Sequence, residues 1–277
     1  MSKRIAYLGP PGTFTEEAAL AYDKTARLVP FPSIRAVANA VALSVGSVEE
    51  GIVPIENSIE GAVPDTLDLL IHESGVMIKH ELVLPIRQNL VAKPGININD
   101  VKVLYSMPPA LGQCRDFVAL HLPKVPVVAA LSTAAAVEEM MASSQPAAAI
   151  GTVRAAEIYG AVILARGIQD NASNETRFVI LAKEDHAPTG NDKTSLCFAF
   201  SGDHPGVLVE TMQVFSQKGI NLSKVESRPS KEILGRYIFL IDLDGHREDA
   251  VVKDALKQVR TKTSMLKIFG SYPRYSK

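Results

Sequence analysis

The chain changes rhythm once, at residues 184–192, and that change limits what it can fold into more than any other feature. Before it, short apolar runs alternate with helical patterns. Candidate strands are 4–9, 26–31, 49–56, 76–92, 101–106, 126–131, 147–151, 161–166 and 177–183. Candidate helices are 15–23, 34–44, 63–73, 109–121, 133–143 and 152–159. Strand then helix, repeated, predicts an α/β fold with mainly parallel sheets, because parallel neighbours need a long crossover. The stretch "EDHAPTGND" (184–192) is polar and holds Pro and Gly, which reads as a linker. After it come strands 194–201, 221–229, 235–243 and 265–272, and helices 206–218 and 247–262. That β-α-β-β-α-β order is the split βαβ, ferredoxin-like pattern. So small a unit has an open sheet face and free edges, and it gains stability by pairing with a second copy.

Bulk properties agree with two domains in 277 residues, at about 150 residues each. Hydrophobic residues make up 47%, enough for a sizeable core. Twenty-nine basic against thirty acidic residues leave a net charge of −1, so neither nucleic acid nor membrane is expected as a partner. Cys114 and Cys197 lie far apart and read as free thiols of a reducing compartment. "MSKRIAYLG" is not a signal peptide, and no apolar run reaches the roughly 18 residues of a membrane span, so a cytoplasmic location is expected. The six histidines are scattered. "GPPGTF" (9–14) lacks the Gly-Lys-Ser/Thr ending of a phosphate loop, and GxGxxG, HExxH and GxSxG do not occur, so no metal or cofactor is expected.

Three loops share one design: "LGPPGTFTEEA", "ALSTAAAVEEM" and "AIGTVRAAE" each run from a strand through small polar residues into a helix. Such helix ends favour anions. Singly, each is an ordinary N-cap by Thr15, Ser132 or Thr152. Together, at the ends of strands, they point to an anion-binding cleft. "VPIENSIEGAVPDTLDLL" (53–70) puts Glu56, Asn57 and Ser58 at a strand's end, either facing ligand or forming a capped turn with Gly61. "SMPPALGQCRDF" (106–117) starts a helix on Pro108 and Pro109, with Gln113 a candidate to face ligand and Arg115 better placed in solvent. "NETRFVIL" (174–181) is a buried strand with Thr176 and Arg177 at its mouth; alone, it would be a polar rim. In "DHPGVLVETMQVFSQKGINLSKVESRPS" (203–230), Pro205 and Gly206 break the chain before a helix, and Gly206 allows a small ligand close to the backbone.

Taken together, "GPPGTFTEEAA", "PIENSIEGAVPDTLDLL", "STAAA", "AAIGTVRAAEIYG" and "DNASNETRF" resemble prephenate dehydratase, and "GVLVETMQVFSQKGINLSKVESRPS" resembles the ACT domain appended to it. The resemblance spans nearly the whole chain in order, and with no chorismate mutase segment ahead it is to the monofunctional form. It implies a two-lobed, type II periplasmic-binding-protein-like catalytic domain over 1–183, with lobes near 1–80 plus 161–183 and near 81–160. A linker at 184–192 and an ACT domain over 193–277 would follow. The implied activity is decarboxylating dehydration of prephenate to phenylpyruvate in L-phenylalanine biosynthesis, feedback-regulated by L-phenylalanine, in a homodimer or homotetramer paired through ACT domains. Arogenate dehydratase and a non-catalytic amino-acid-sensing solute-binding protein are the alternatives, with a prephenate decarboxylase without dehydration a third, against which the retained Thr176 argues.

The resemblance also assigns residues. Thr176 would stand at the leaving hydroxyl, Arg177 would grip a carboxylate bidentately, and Glu56, if buried, would be the acid behind the hydroxyl. Thr13, Asn57, Ser58, Ser106, Ser132 and Thr133 would bind substrate oxygens. Phe178, grouped with them, alternates away from Arg177 along the strand and is expected to pack. Gly206, Val207, Leu208 and Val209, with Glu226, Ser227, Arg228 and Pro229, resemble the two phenylalanine-binding motifs, with Asn221 and Leu222 nearby. One segment departs from the family's usual Ser-His-Pro-Gln-Ala-Leu: Met107 and Pro109 replace the histidine and glutamine, while Ser106, Gln113 and Cys114 keep the pattern.

Overall fold

The computed structural model describes residues 2–73, 75–200, 202, 204–231 and 233–276. It divides into two compact units, residues 1–66 with 82–178, and residues 67–81 with 179–277. Ser201, the last residue of an expected strand, and Asp203 lie outside the described residues.

The first unit opens with β1 (Arg4–Leu8), α1 (Phe14–Tyr22), β2 (Arg27–Phe31), α2 (Ile34–Ala42), β3 (Glu50–Asn57) and β4 (Gly61–Ala62). Helix α3 (Pro64–His72) and strand β5 (Met77–Pro85) come next, and residues 67–81 of this stretch belong to the second unit. Then follow β6 (Asn89–Ala92), β7 (Val103–Ser106), α4 (Pro108–Gly112), α5 (Arg115–His121), β8 (Val127–Ala129), α6 (Thr133–Ala142), β9 (Ala147–Gly151), α7 (Val153–Tyr159), β10 (Val162–Ala165) and β11 (Glu175–Ala182).

Two sheets result. The first runs β2-β1-β3-β11-β5, with β4 beside β3; the second runs β10-β6-β9-β7-β8. β1 is parallel to β2 and β3, and β7 is parallel to β8 and β9. The expectation of mainly parallel sheets needs correcting in the second sheet. There β6 is antiparallel to both β9 and β10. Residues 86–88 carry the chain from β5, in the first sheet, to β6, in the second. The expected strand 76–92 is therefore two strands, and β10 belongs to the second sheet.

Burial explains the sequence of β9. Ala147 and Ala149 pack with Val137 and Met140 of α6, while Ala148 and Ile150 pack with Leu90, Leu104 and Cys114 on the other face. A strand covered on both faces reads as a continuous apolar run, here "AAAIG". At its end Gly151 has no room for a side chain: an added Cβ would lie 2.5 Å from Val137 Cγ2.

Helix 109–121 was expected whole and is broken at Gln113–Cys114. The Asp170 carboxylate takes the N–H groups of Arg115 (2.9 Å) and Asp116 (3.2 Å), and Asp170 N donates to Gln113 O at 2.7 Å. Asp170 thus caps α5 from outside, and a new helix starts where the old one would have continued.

The second unit holds β12 (Asp192–Ala199), α8 (Val207–Gln217), β13 (Leu222–Pro229), β14 (Tyr237–Asp244), α9 (Ala250–Lys262) and β15 (Met265–Pro273), the expected βαββαβ order. The antiparallel sheet runs β13-β14-β12-β15. Leu196, Phe198, Ile241 and Leu243 of the sheet pack against Val214 and Phe215 of α8 and Val252, Leu256 and Val259 of α9. Among the described residues no helix is long and apolar enough to cross a membrane.

Candidate active site

A cavity of about 840 Å³ lies in the first unit, between elements of its two sheets. Helix starts supply part of its wall. Thr13 caps α1, accepting from Glu16 N at 3.4 Å, and Ser132 caps α6, accepting from Ala135 N at 3.0 Å. The first cap is Thr13, not the expected Thr15, which is a buried residue inside the helix. Both helix N-termini present partial positive charge to the cavity.

Thr13, Asn57, Ser132, Thr133, Thr176 and Phe178 line this cavity as the sequence reading grouped them. Phe178 does so because it shares a strand face with Thr176. Met107 and Pro109 also line it, so the departures from the family pattern put apolar atoms in the wall.

Arg177 and Glu56 are not in the wall. Strand alternation sends Arg177 to the face opposite Thr176, where its Nη1 lies 3.7 Å from Glu56 Oε2; both are half-buried. Ser58 is exposed and ties its turn to β11, its Oγ accepting from Glu175 N at 3.0 Å. Ser106 is buried and donates to Met107 O at 3.0 Å.

The polar wall is a connected set of amides around Thr176. Asn57 Nδ2 donates to Thr176 Oγ1 and to Asn174 Oδ1, both at 2.8 Å, and to Glu175 O at 3.1 Å. Because Thr176 Oγ1 accepts from Asn57, its own proton stays free to donate into the cavity. Asn174 Nδ2 donates to Gln113 Oε1 at 2.9 Å, Gln88 Nε2 donates to the same oxygen at 3.1 Å, and Gln113 Nε2 reaches Glu60 Oε1 at 3.4 Å. Gln88 and Gln113 line the cavity. Sequence reasoning marked Gln113 only as a candidate and passed over Gln88 and Asn174. Gln88 gave no local signal, since "LPIRQNL" reads as strand throughout. Among the described residues no Lys, Arg or His lines the cavity. Anionic groups would be held there by hydroxyls, amides and helix ends.

A second cavity, of about 420 Å³, lies at the start of α8. Gly206, at φ 94°, and Val207, Leu208 and Val209 line it, with Phe200, Arg236, Tyr237 and Phe239. Asn221, Leu222, Glu226, Ser227, Arg228 and Pro229 do not. Asn221 bonds Asp244 Oδ2 at 3.1 Å, Leu222 packs on the domain core, Glu226 pairs with Lys224 at 3.2 Å, and Arg228 pairs with Asp68 of α3 at 3.6 Å. Ser227 and Pro229 lie on β13, an edge strand.

Comparisons with known proteins fit this geometry. The family profile described as prephenate dehydratase matches residues 5–186, and that of the ACT domain matches residues 197–261. A bifunctional chorismate mutase/prephenate dehydratase of Aquifex aeolicus is 44% identical over 98% of this chain and 74% of its own length. A prephenate dehydratase of Mycobacterium leprae is 38% identical over 98% of this chain and 86% of its own. A crystal structure described as prephenate dehydratase from Arthrobacter aurescens in complex with L-Phe aligns with a TM-score of 0.90 at 36% identity, covering 98% of this chain and 90% of that one.

Proposed function

The chain belongs to the prephenate dehydratase family, and from that premise we propose how its cavity performs the decarboxylating dehydration of prephenate to phenylpyruvate. In this reaction the bond from the ring to its carboxylate breaks and carbon dioxide leaves. The electron pair moves through the ring as it becomes aromatic, and the bond to the ring hydroxyl breaks. The departing oxygen takes a proton and leaves as water.

The observation that carries the proposal is the state of the Thr176 hydroxyl. Asn57 donates to it at 2.8 Å, so it is set to donate onward to the departing oxygen. The two carboxylates are held by neutral donors: the hydroxyls of Ser132 and Thr133 and the N–H groups at the starts of α1 and α6, while Thr13, whose hydroxyl donates to Leu8 O at 3.2 Å, fixes the α1 end. The carboxylate-binding role first read onto Arg177 passes to these groups. Neutral donors suit the chemistry, because a guanidinium on the ring carboxylate would hold the charge that must be lost. Ser106, Ser58 and Glu56 then support the wall from behind rather than touch substrate.

L-Phenylalanine is assigned to the second cavity. Arg236 can hold its carboxylate, and Phe200, Tyr237 and Phe239 can hold its ring. The edge strand β13, with Val225 exposed, and the exposed Val209 suit pairing with a second copy, which would bring the Glu226–Pro229 motif toward that site. Residues 1–183 are assigned to catalysis, 184–191 to a linker and the domain that β12 opens at Asp192 to regulation, in a cytoplasmic homodimer or homotetramer.

The test is incubation with purified prephenate and, separately, with arogenate, reading phenylpyruvate and phenylalanine. Phenylpyruvate from prephenate supports the reading; phenylalanine from arogenate alone would transfer the activity to the amino substrate.

A further inference from the structure

The polar wall of the catalytic cavity has one direction, and it is set at one place. The oxygen and nitrogen ends of an amide are told apart only by what they touch. Backbone N–H groups can only donate, and those of Ile59 and Glu60 meet Asn57 Oδ1 at 2.9 and 3.0 Å. Asn57 must therefore turn its Nδ2 to Asn174 Oδ1 and Thr176 Oγ1. Asn174, with its oxygen occupied, has only its Nδ2 for Gln113 Oε1. That oxygen also receives Gln88 Nε2. Reversing any one amide would set oxygen against oxygen or N–H against N–H.

The ends of the relay follow. Thr176 keeps a free proton. Gln113 Nε2 gives one hydrogen to Glu60 Oε1 and keeps the other. Gln88 keeps its Oε1, which is buried without a hydrogen-bond partner. Asn174 differs from the other members in lying outside the wall: it is buried behind the cavity. It joins Asn57 and Thr176, on strands of the first sheet, to Gln113 and Gln88, beside strands of the second.

We propose that Asn174 is a positioning residue for the reaction. It carries the polarity fixed at Asn57 across to Gln113, so that Gln113 offers the cavity its remaining N–H and not its carbonyl. The inference rests on the reading that the cavity takes prephenate. That substrate has acceptors on two carboxylates and a keto group, and a single donor on its ring hydroxyl. A reversed Gln113 would set an oxygen against those acceptors.

The test compares N174D and N174A with the wild-type full chain. The kcat and KM for prephenate are followed from acidic to alkaline pH, and folding is checked by thermal unfolding. A protonated aspartic acid copies the amide: its carbonyl accepts from Asn57 and its O–H donates to Gln113. Ionised, it can only accept, and Gln113 must turn. Burial favours the neutral form at acidic pH. The variant N174D should therefore run near wild type at acidic pH and lose about 10- to 100-fold in kcat/KM, relative to wild type, as pH rises. The variant N174A should show a similar loss at every pH. A ratio of N174D to wild type that stays flat with pH overturns the proposal, as does an N174A rate within about twofold of wild type. Failure of N174D to fold at acidic pH also overturns it, by making the residue structural alone. Wild-type turnover is read first: if prephenate is not consumed, the reading of the substrate falls, and the inference with it.

Discussion

Thr176 and Arg177 are neighbours in sequence that face opposite ways, and their surroundings separate chemistry from support. The hydroxyl of Thr176 is in the cavity wall with its proton free, while Arg177 pairs with Glu56 behind the wall. Replacing Thr176 by Ala should lower kcat about 100- to 1000-fold, the usual loss when one positioned donor to developing charge is removed, with the unfolding temperature near wild type. The change Arg177→Met should cost less turnover than Thr176→Ala; a steady-state comparison under one set of conditions checks the order. The two thiols give a pH prediction. Burial pushes Cys114 and Cys197 up to about 12, from an ordinary 9.0. The folded chain therefore holds these protons after the unfolded chain has released them. The stability they contribute is whole below about 9 and is lost as pH rises toward about 12. Urea midpoints measured across that range should fall, and should fall less steeply in a Cys114→Ala, Cys197→Ala variant. Neither thiol should react with an aromatic disulfide reagent at neutral pH until the chain unfolds.

At the scale of elements, the repeated strand–polar–helix loops were legible because capping is local. Ser132 and Thr152 cap the helices they precede in sequence, and the misplaced first cap is an error of two residues. The break between α4 and α5 was not legible. Its cause, Asp170, is more than fifty residues away, and no propensity near Gln113 announces it. That break matters to the site, since it ends α4 at the residue whose side chain enters the relay. The close fit of β9 to α6 yields a further prediction. Gly151→Ala places a Cβ against Val137 and should destabilise by about 1–3 kcal/mol, the usual cost of overpacking. A lowered unfolding temperature with normal helix content in circular dichroism would show it; an unchanged temperature would mean that Val137 can move aside.

Over the whole molecule, the two family assignments join a catalytic unit to a domain of regulatory type. L-Phenylalanine bound at the start of α8 should inhibit prephenate turnover and also raise the unfolding temperature. At a hundred times its dissociation constant it adds about 2.7 kcal/mol to the state that binds it. Replacing Arg236 by Met should weaken both effects together and leave turnover without effector unchanged. Sedimentation with and without the amino acid should find a dimer or tetramer, in keeping with the exposed edge of β13.

The amino-acid sequence by itself determined the α/β order, the βαββαβ tail and most of the cavity's hydroxyl and amide residues. Those features rest on periodicities, caps and short motifs that act within a few residues. Tertiary structure alone decided which face of β11 looks into the cavity, that β6 runs against its neighbours, and that Asn174 joins Asn57 to Gln113. Each of these depends on groups far apart in the chain meeting in space. A strand's two faces are equivalent until something packs on one of them, and an amide has no preferred direction until a fixed donor sets it.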